Sequence, residues 1–260
     1  MAHAEARPGA LRLMSFDAPV EALVVGASRG IGAEFVRQLA SSPDVKRVWA
    51  ASRRPDPAPS PDGRVHPLEL DVCDAQSVER AAAGVGAAGA TLQLVINCAG
   101  VLHDGERMRP ERRLADVDPD AMLQAYRVNA LGPLLVARHF AAHLPRRERA
   151  IFASLSARVG SIGDNRHGGW YAYRASKAAQ NMITRNLAIE LPRRHRGVVC
   201  IALHPGTVDT NLSAPFQRNV PEGQLFTCER AVRQMLGHID AAGRDDQGRF
   251  IAWDGQTIPW

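Results

Sequence analysis

The sequence predicts a doubly wound α/β domain, a parallel sheet of about seven strands with helices on both faces in a single Rossmann-type unit. Three observations predict it. Short β-branched runs alternate with longer amphipathic stretches along the chain, the pattern of repeated βαβ units. A glycine-rich turn joins the first of those runs to the first helical stretch. No repeat, low-complexity linker or second-domain boundary interrupts the alternation. The 260 residues suit one large α/β domain, and 45% hydrophobic residues suffice for its core.

The elements follow in order. Residues 1–20 read as a loosely ordered N-terminal extension of mixed composition, with Glu5 and Asp17 and no apolar signal-peptide run. The domain proper takes residues 21–260. Residues 21–26 (EALVVG) form the first buried strand, and residues 31–40 the helix it feeds. Residues 45–52 are a second strand, followed by a Pro-rich loop over 55–61. Residues 65–70 and 93–97 give the third and fourth strands, with an Ala-rich helix between them starting near Asp74. Asp118-Pro119 opens a long helix running towards His143, with Asp as N-cap and Pro at the first position. Residues 150–155 are a fifth strand, 171–191 another long helix, 198–203 a sixth strand and 250–253 a short seventh.

Composition narrows the function classes. The net charge of +5 comes with basic clusters at Arg112-Arg113, Arg146-Arg147-Arg149 and Arg193-Arg194-His195-Arg196. The last two flank expected helix ends, where cations suit the dipole. Aromatics are 5% and are not interleaved with the clusters, so no nucleic-acid platform is expected. No apolar run approaches the roughly 20 residues of a membrane-spanning helix. Cys73, Cys98, Cys200 and Cys228 show no CxxC spacing and read as reduced thiols of a cytoplasmic protein. His139 and His143 share a helix face, but no HExxH-type carboxylate accompanies them and no metal is expected.

Two constellations carry chemistry. GASRGIG follows the first strand and places Gly26, Gly30 and Gly32 at a helix N-terminus, where free N–H groups suit a pyrophosphate. The second strand ends Ala51-Ser52-Arg53-Arg54 without a carboxylate to accept a ribose 2′-hydroxyl. Arg53, and Arg29 in the glycine turn, suit a 2′-phosphate instead, so NADP(H) is the expected cofactor. Tyr173 and Lys177 lie four apart on an expected helix and share a face. An ammonium beside a phenol, whose ordinary pKa is about 10, makes it a usable general acid. Lys177 is one of two lysines, with Lys46, among 32 Lys and Arg residues, as if an ammonium were needed there.

These motifs, with Asn97-Cys98-Ala99-Gly100, Asn129 and Pro205-Gly206-Thr207-Val208-Asp209-Thr210 in order, resemble the short-chain dehydrogenase/reductase superfamily over residues 21 to about 254. GSIGDNRHGGWYAYRASK (160–177) and WDGQTIPW (253–260) resemble its C-factor-like and sniffer-like carbonyl reductases. The resemblance implies that Tyr173 protonates a carbonyl oxygen as hydride arrives. It implies that Lys177 binds the nicotinamide ribose and lowers the Tyr173 pKa, and that Asn129 holds a water leading to solvent. It adds Ser28 and Ile31 to the pyrophosphate turn, Asp71 and Val72 beside adenine, and Asn97, Ala99 and Gly100 beside the cofactor. It places Pro205, Gly206, Thr207, Val208 and Thr210 against the nicotinamide end. The family's catalytic serine falls here on Ala157; Ser156 is the expected substitute, and Ser161 lies just beyond.

Carbonyl reduction is therefore the expected activity, with alcohol oxidation as its reverse. A dinucleotide-binding signalling or sensor protein of C-factor type is the alternative, disfavoured by the intact Asn129, Tyr173 and Lys177. The substrate is a small carbonyl or alcohol, and Phe216 and Leu225 in the 207–226 loop suggest an apolar lid. The long helices at 118–143 and 171–191 often pair subunits in the family, which makes a homodimer or homotetramer the expected assembly. His103 and His204 lie beside cofactor loops, and Tyr171 is expected to pack at its helix start.

Overall fold

A computed structural model describes residues 11–55, 62–105 and 108–260. Residues 1–10 of the expected extension and 56–61 of the Pro-rich loop lie outside the described residues. Seven parallel strands run in the order β3-β2-β1-β4-β5-β6-β9. They are β1 (Val20–Val25), β2 (Val45–Ser52), β3 (Val65–Glu69), β4 (Leu94–Asn97), β5 (Ala150–Leu155), β6 (Val198–His204) and β9 (Phe250–Ala252). The two remaining strands, β7 (Thr207–Val208) and β8 (Leu225–Phe226), pair with each other outside the sheet. Strand order reverses between β1 and β4, where open α/β sheets leave a crevice at their carboxyl ends.

Both faces of the sheet are covered, so strands read as continuous apolar runs rather than as alternations. All six residues of β1 are buried. Ala22 and Val24 pack towards α1 (Gly30–Ser41) and α6 (Cys228–Ala241). Leu23 and Val25 pack towards α2 (Ala75–Ala87) and α4 (Gly132–Phe140). The Asp118 carboxylate caps α3 (Pro119–Tyr126) by accepting from Asp120 N–H, with Pro119 at its first position. The long helix expected over 118–143 is not continuous α. A π-helical turn, Arg127–Leu131, joins α3 to α4.

Of the expected extension, residues 11–19 pack on the domain. Leu13 and Phe16 are buried in the α1/α6 layer. Asp44 accepts from Leu13 N–H and pairs with Arg12, while Asp240 accepts from Ser15 N–H and Oγ–H. Residues 11–19 are thus fastened by contacts distant in sequence.

Candidate active site

The site forms where β1, β4, β5 and β6 end. The turn after β1 closes only with glycine at two points. A Cβ on Gly26, at φ +85°, would lie 2.8 Å from Ala99 N, and one on Gly32 would lie 2.1 Å from the Gly26 carbonyl oxygen. The backbone therefore stays bare in front of α1, whose N-cap Arg29 is extended and provides no side-chain cap. Ser28 and Arg29 are exposed there, and Ile31 is partly buried. Thr210 reaches the same turn, its Cγ2 3.3 Å from where a Gly30 Cβ would be. Arg53 is exposed at the end of β2. Asp71 orders the loop beyond β3, accepting from Cys73 N–H at 2.9 Å, and buried Val72 packs on Gly132.

At the end of β4, the Asn97 oxygen accepts from Ala99 N–H, while its Nδ2 is buried without a partner. A dinucleotide laid along this crevice fits the bare glycine turn and that orphaned donor. Pro205, Gly206 and Thr207 follow β6, and Val208 is buried beneath them. The expected lid is partly ordered: Leu225 and Phe226 pair with Thr207 and Val208.

Helix α5 (Tyr171–Glu190) brings Tyr173 and Lys177 together, both buried. Lys177 Nζ lies 5.8 Å from the Tyr173 ring centroid and donates to Leu155 O and to Gln180 Oε1, each at 2.8 Å. Burial pushes the Tyr173 phenol well up and pulls the Lys177 ammonium down to about 7. Tyr171, expected to pack, is instead 37% exposed. Asn129 sits in the π-helical turn with its side chain engaged three ways: Nδ2 donates to Val101 O and Ser176 Oγ, and Oδ1 accepts from Val101 N–H. Such single π turns recur at functional sites.

The family profile described as short chain dehydrogenase matches residues 21–221. This chain belongs to the short-chain dehydrogenase family. Among relatives, it is 34% identical over 239 residues to 1-hydroxy-2-glutathionyl-2-methyl-3-butene dehydrogenase of Rhodococcus sp. (strain AD45), covering 92% of this chain and 98% of that one. It is 37% identical over 147 residues to C-signal of Myxococcus xanthus, covering 56% and 83%. Among solved structures, it resembles an NADPH-bound carbonyl reductase from chicken fatty liver, with TM-score 0.79, 30% identity and coverage of 94% and 100%. Carbonyl reductase Sniffer of D. melanogaster shares the fold, with TM-score 0.77, 22% identity and coverage of 94% and 100%.

This short-chain dehydrogenase carries an alanine where the sequence reading expects a serine. Ala157 stands at the expected position, and the neighbouring hydroxyls are both engaged. Ser156 Oγ–H donates to Asn181 Oδ1 at 2.6 Å. Ser161 Oγ–H donates to Pro259 O and accepts from Asp164 N–H. A hydroxyl has one proton to give, so Ser156 can reach a substrate oxygen only by releasing Asn181.

Glu111 and Trp170 escaped the sequence reading, whereas His103 and His204 are the two histidines it placed beside the cofactor loops. Glu111, 4% exposed, accepts from Ala172 N–H and so caps the helix carrying Tyr173. Trp170, in a left-handed conformation at φ 50°, lies edge-on to Tyr173 and 4.9 Å from Phe216. His103, 5.9 Å from Phe216, ties the loop after β4 to Asn211 O and Leu212 O. His204 accepts from Arg158 N–H, and burial pulls its pKa down to about 4.

Proposed function

We propose that the chain is an NADP(H)-dependent carbonyl reductase in which Tyr173 donates the proton and Lys177 is its electrostatic partner. The observation that carries this reading is the buried Tyr173–Lys177 pair, 5.8 Å from ring centroid to Nζ, with Nζ 3.7 Å from where a Gly100 Cβ would be, next to the Ala99 that packs on the bare glycine turn. Gly26, Ser28, Gly30, Ile31 and Gly32 would hold the pyrophosphate, with Arg29 and Arg53 on the 2′-phosphate. Asp71 and Val72 would flank adenine. Asn97, Ala99 and Gly100 would line the nicotinamide ribose side, and Pro205, Gly206, Thr207, Val208 and Thr210 the carboxamide side. When bound, NADPH supplies the hydride to the carbonyl carbon. Tyr173 gives its proton to the carbonyl oxygen, the Lys177 ammonium stabilises the phenolate left behind, and Asn129 would hold a water that links Lys177 to solvent. The same residues run in reverse oxidise a secondary alcohol.

Cofactor choice tests the reading. NADPH is expected to bind at least tenfold more tightly than NADH, about 1.4 kcal/mol, because β2 ends on Ser52 and Arg53 with no carboxylate. The similarity to an NADPH-bound carbonyl reductase supports this. Equal dissociation constants in a fluorescence titration would remove the preference.

For the polarising donor we keep Ser156. Ser156→Ala is expected to lower kcat about 10²-fold, as loss of one oxyanion donor does, with little change in NADPH affinity. A silent Ser156→Ala beside a damaging Ser161→Ala would move the role to Ser161.

The similarity to C-signal favours a second reading, a dinucleotide-binding signalling protein. Such a protein would bind NADPH yet consume none with aldehydes, ketones or quinones.

A homodimer or homotetramer belongs to the leading reading. Leu123, Tyr126, Leu131 and Leu134 on the α3–α4 run, and Met182 and Ile189 on α5, are exposed apolar residues on helices of the kind that pair subunits. Sedimentation as a monomer at micromolar concentration would contradict that assembly. A cytoplasmic location fits the four free thiols. No described helix is long and apolar enough to cross a membrane.

A further inference from the structure

Lys177 is buried at 3% exposure, yet no carboxylate lies within ion-pair distance of it among the described residues. Its neighbour Gln180, one turn on and fully buried, closes a triangle with it. Lys177 Nζ donates to Gln180 Oε1 and Leu155 O, and Gln180 Nε2 donates to the same Leu155 O at 3.1 Å. The orientation of the amide follows from chemistry, since an ammonium has only donors to offer. Two of its three protons are thereby fixed, leaving one for the site.

We propose that Gln180 is a positioning residue for Lys177, holding the ammonium charged and pinned to the end of β5 without neutralising it. A carboxylate at this place would also keep the ammonium, but would cancel the charge that a Tyr173 phenolate needs. An apolar residue would leave only Leu155 O to oppose burial, which already draws Lys177 down to about 7. The titratable groups acting on Nζ are Tyr173 on α5 and Cys98 at the end of β4, whose thiol burial pushes far up. Of the other groups on elements packed against α5, Arg158 pairs with Asp164 and His204 faces the Arg158 backbone. Cys200 is pushed up to about 12, and Asp120 and Arg127 are exposed.

The chain has only two lysines, so carbon-13 lysine labelling resolves the question directly. Lys46, 59% exposed in its pair with Glu21, is the second signal and is assigned by Lys46→Arg. Following the Lys177 side-chain resonance with pH, Gln180→Met should move its midpoint down by about one unit. Gln180→Glu should move it up by a comparable amount, a reversal that loosened packing cannot produce. An unmoved midpoint, or movement in one direction for both variants, overturns the proposal. Should Gln180→Met fail to fold, absence of the upward shift in Gln180→Glu overturns it alone. The consequence for turnover rests on the proposed relay: the alkaline limb of kcat should move with the midpoint. Unmoved resonances beside an inactive Tyr173→Phe would sink only the role of Gln180. An active Tyr173→Phe would sink the relay and leave the titration standing.

Discussion

Replacing Lys177 with arginine is expected to cost about 10²–10⁴-fold in kcat, the range of a lost acid–base contribution, although the positive charge is kept. The reason is the shape of the pocket around Nζ. Gly100 is a close neighbour: a Cβ there would lie 3.7 Å from Nζ. The acceptors, Leu155 O and Gln180 Oε1, converge on a single nitrogen. A planar guanidinium carries five donors in a rigid fork. Here it would bury several of them without partners, at about 1–3 kcal/mol each, and would press on the loop at Gly100, which follows β4. Steady-state turnover, with NADPH affinity and thermal unfolding measured alongside, checks this. The variant should be less stable as well as slow. Near-normal kcat in Lys177→Arg would mean that any cation suffices and that the ammonium geometry is incidental.

Much of this architecture was legible because local signals and tertiary structure agree. β1 and β4 to β6 are apolar runs bounded by turns, and all seven strands lie where the alternation places them. Asp118-Pro119 starts α3 with the expected cap, and the four-residue spacing of Tyr173 and Lys177 brings Nζ within 5.8 Å of the Tyr173 ring centroid. Helix α6 went unassigned, although Thr227 caps it and Ala231, Val232, Met235, Leu236 and Ile239 mark its buried face. These five positions recur at helical spacing. Other features had no local signal. Leu13 and Phe16 are held by a layer whose members come from the far end of the chain, as the Ser15–Asp240 bonds illustrate. Gln180 looks like any polar residue on a helix until the partner at i−3 is seen to be buried. Glu111 reads as one charge in an acidic and basic loop, and only its approach to Ala172 N–H makes it a cap. The serine is the point where the expectation drawn from the family resemblance and the chain diverge. Ala157 leaves no hydroxyl at the expected place, and the hydroxyls beside it are held by Asn181 and by the carboxyl-terminal segment.

The central claim is that the Tyr173 hydroxyl completes carbonyl reduction, and a single substitution isolates it. Tyr173→Phe removes one oxygen from a ring that stays packed, 8% exposed, against Trp170. The fold and NADPH binding should survive. Tyr171→Phe is the control, since that ring is 37% exposed and lies two residues away on another helix face. The measurement is NADPH consumption in the presence of reducible aldehydes, ketones and quinones by the unaltered chain and the two variants, with NADPH affinity titrated for each. The expected result is turnover by the unaltered chain and by Tyr171→Phe, and a fall in kcat of about 10²–10⁴-fold in Tyr173→Phe at unchanged affinity. Near-normal turnover by Tyr173→Phe, or loss confined to Tyr171→Phe, would contradict the account.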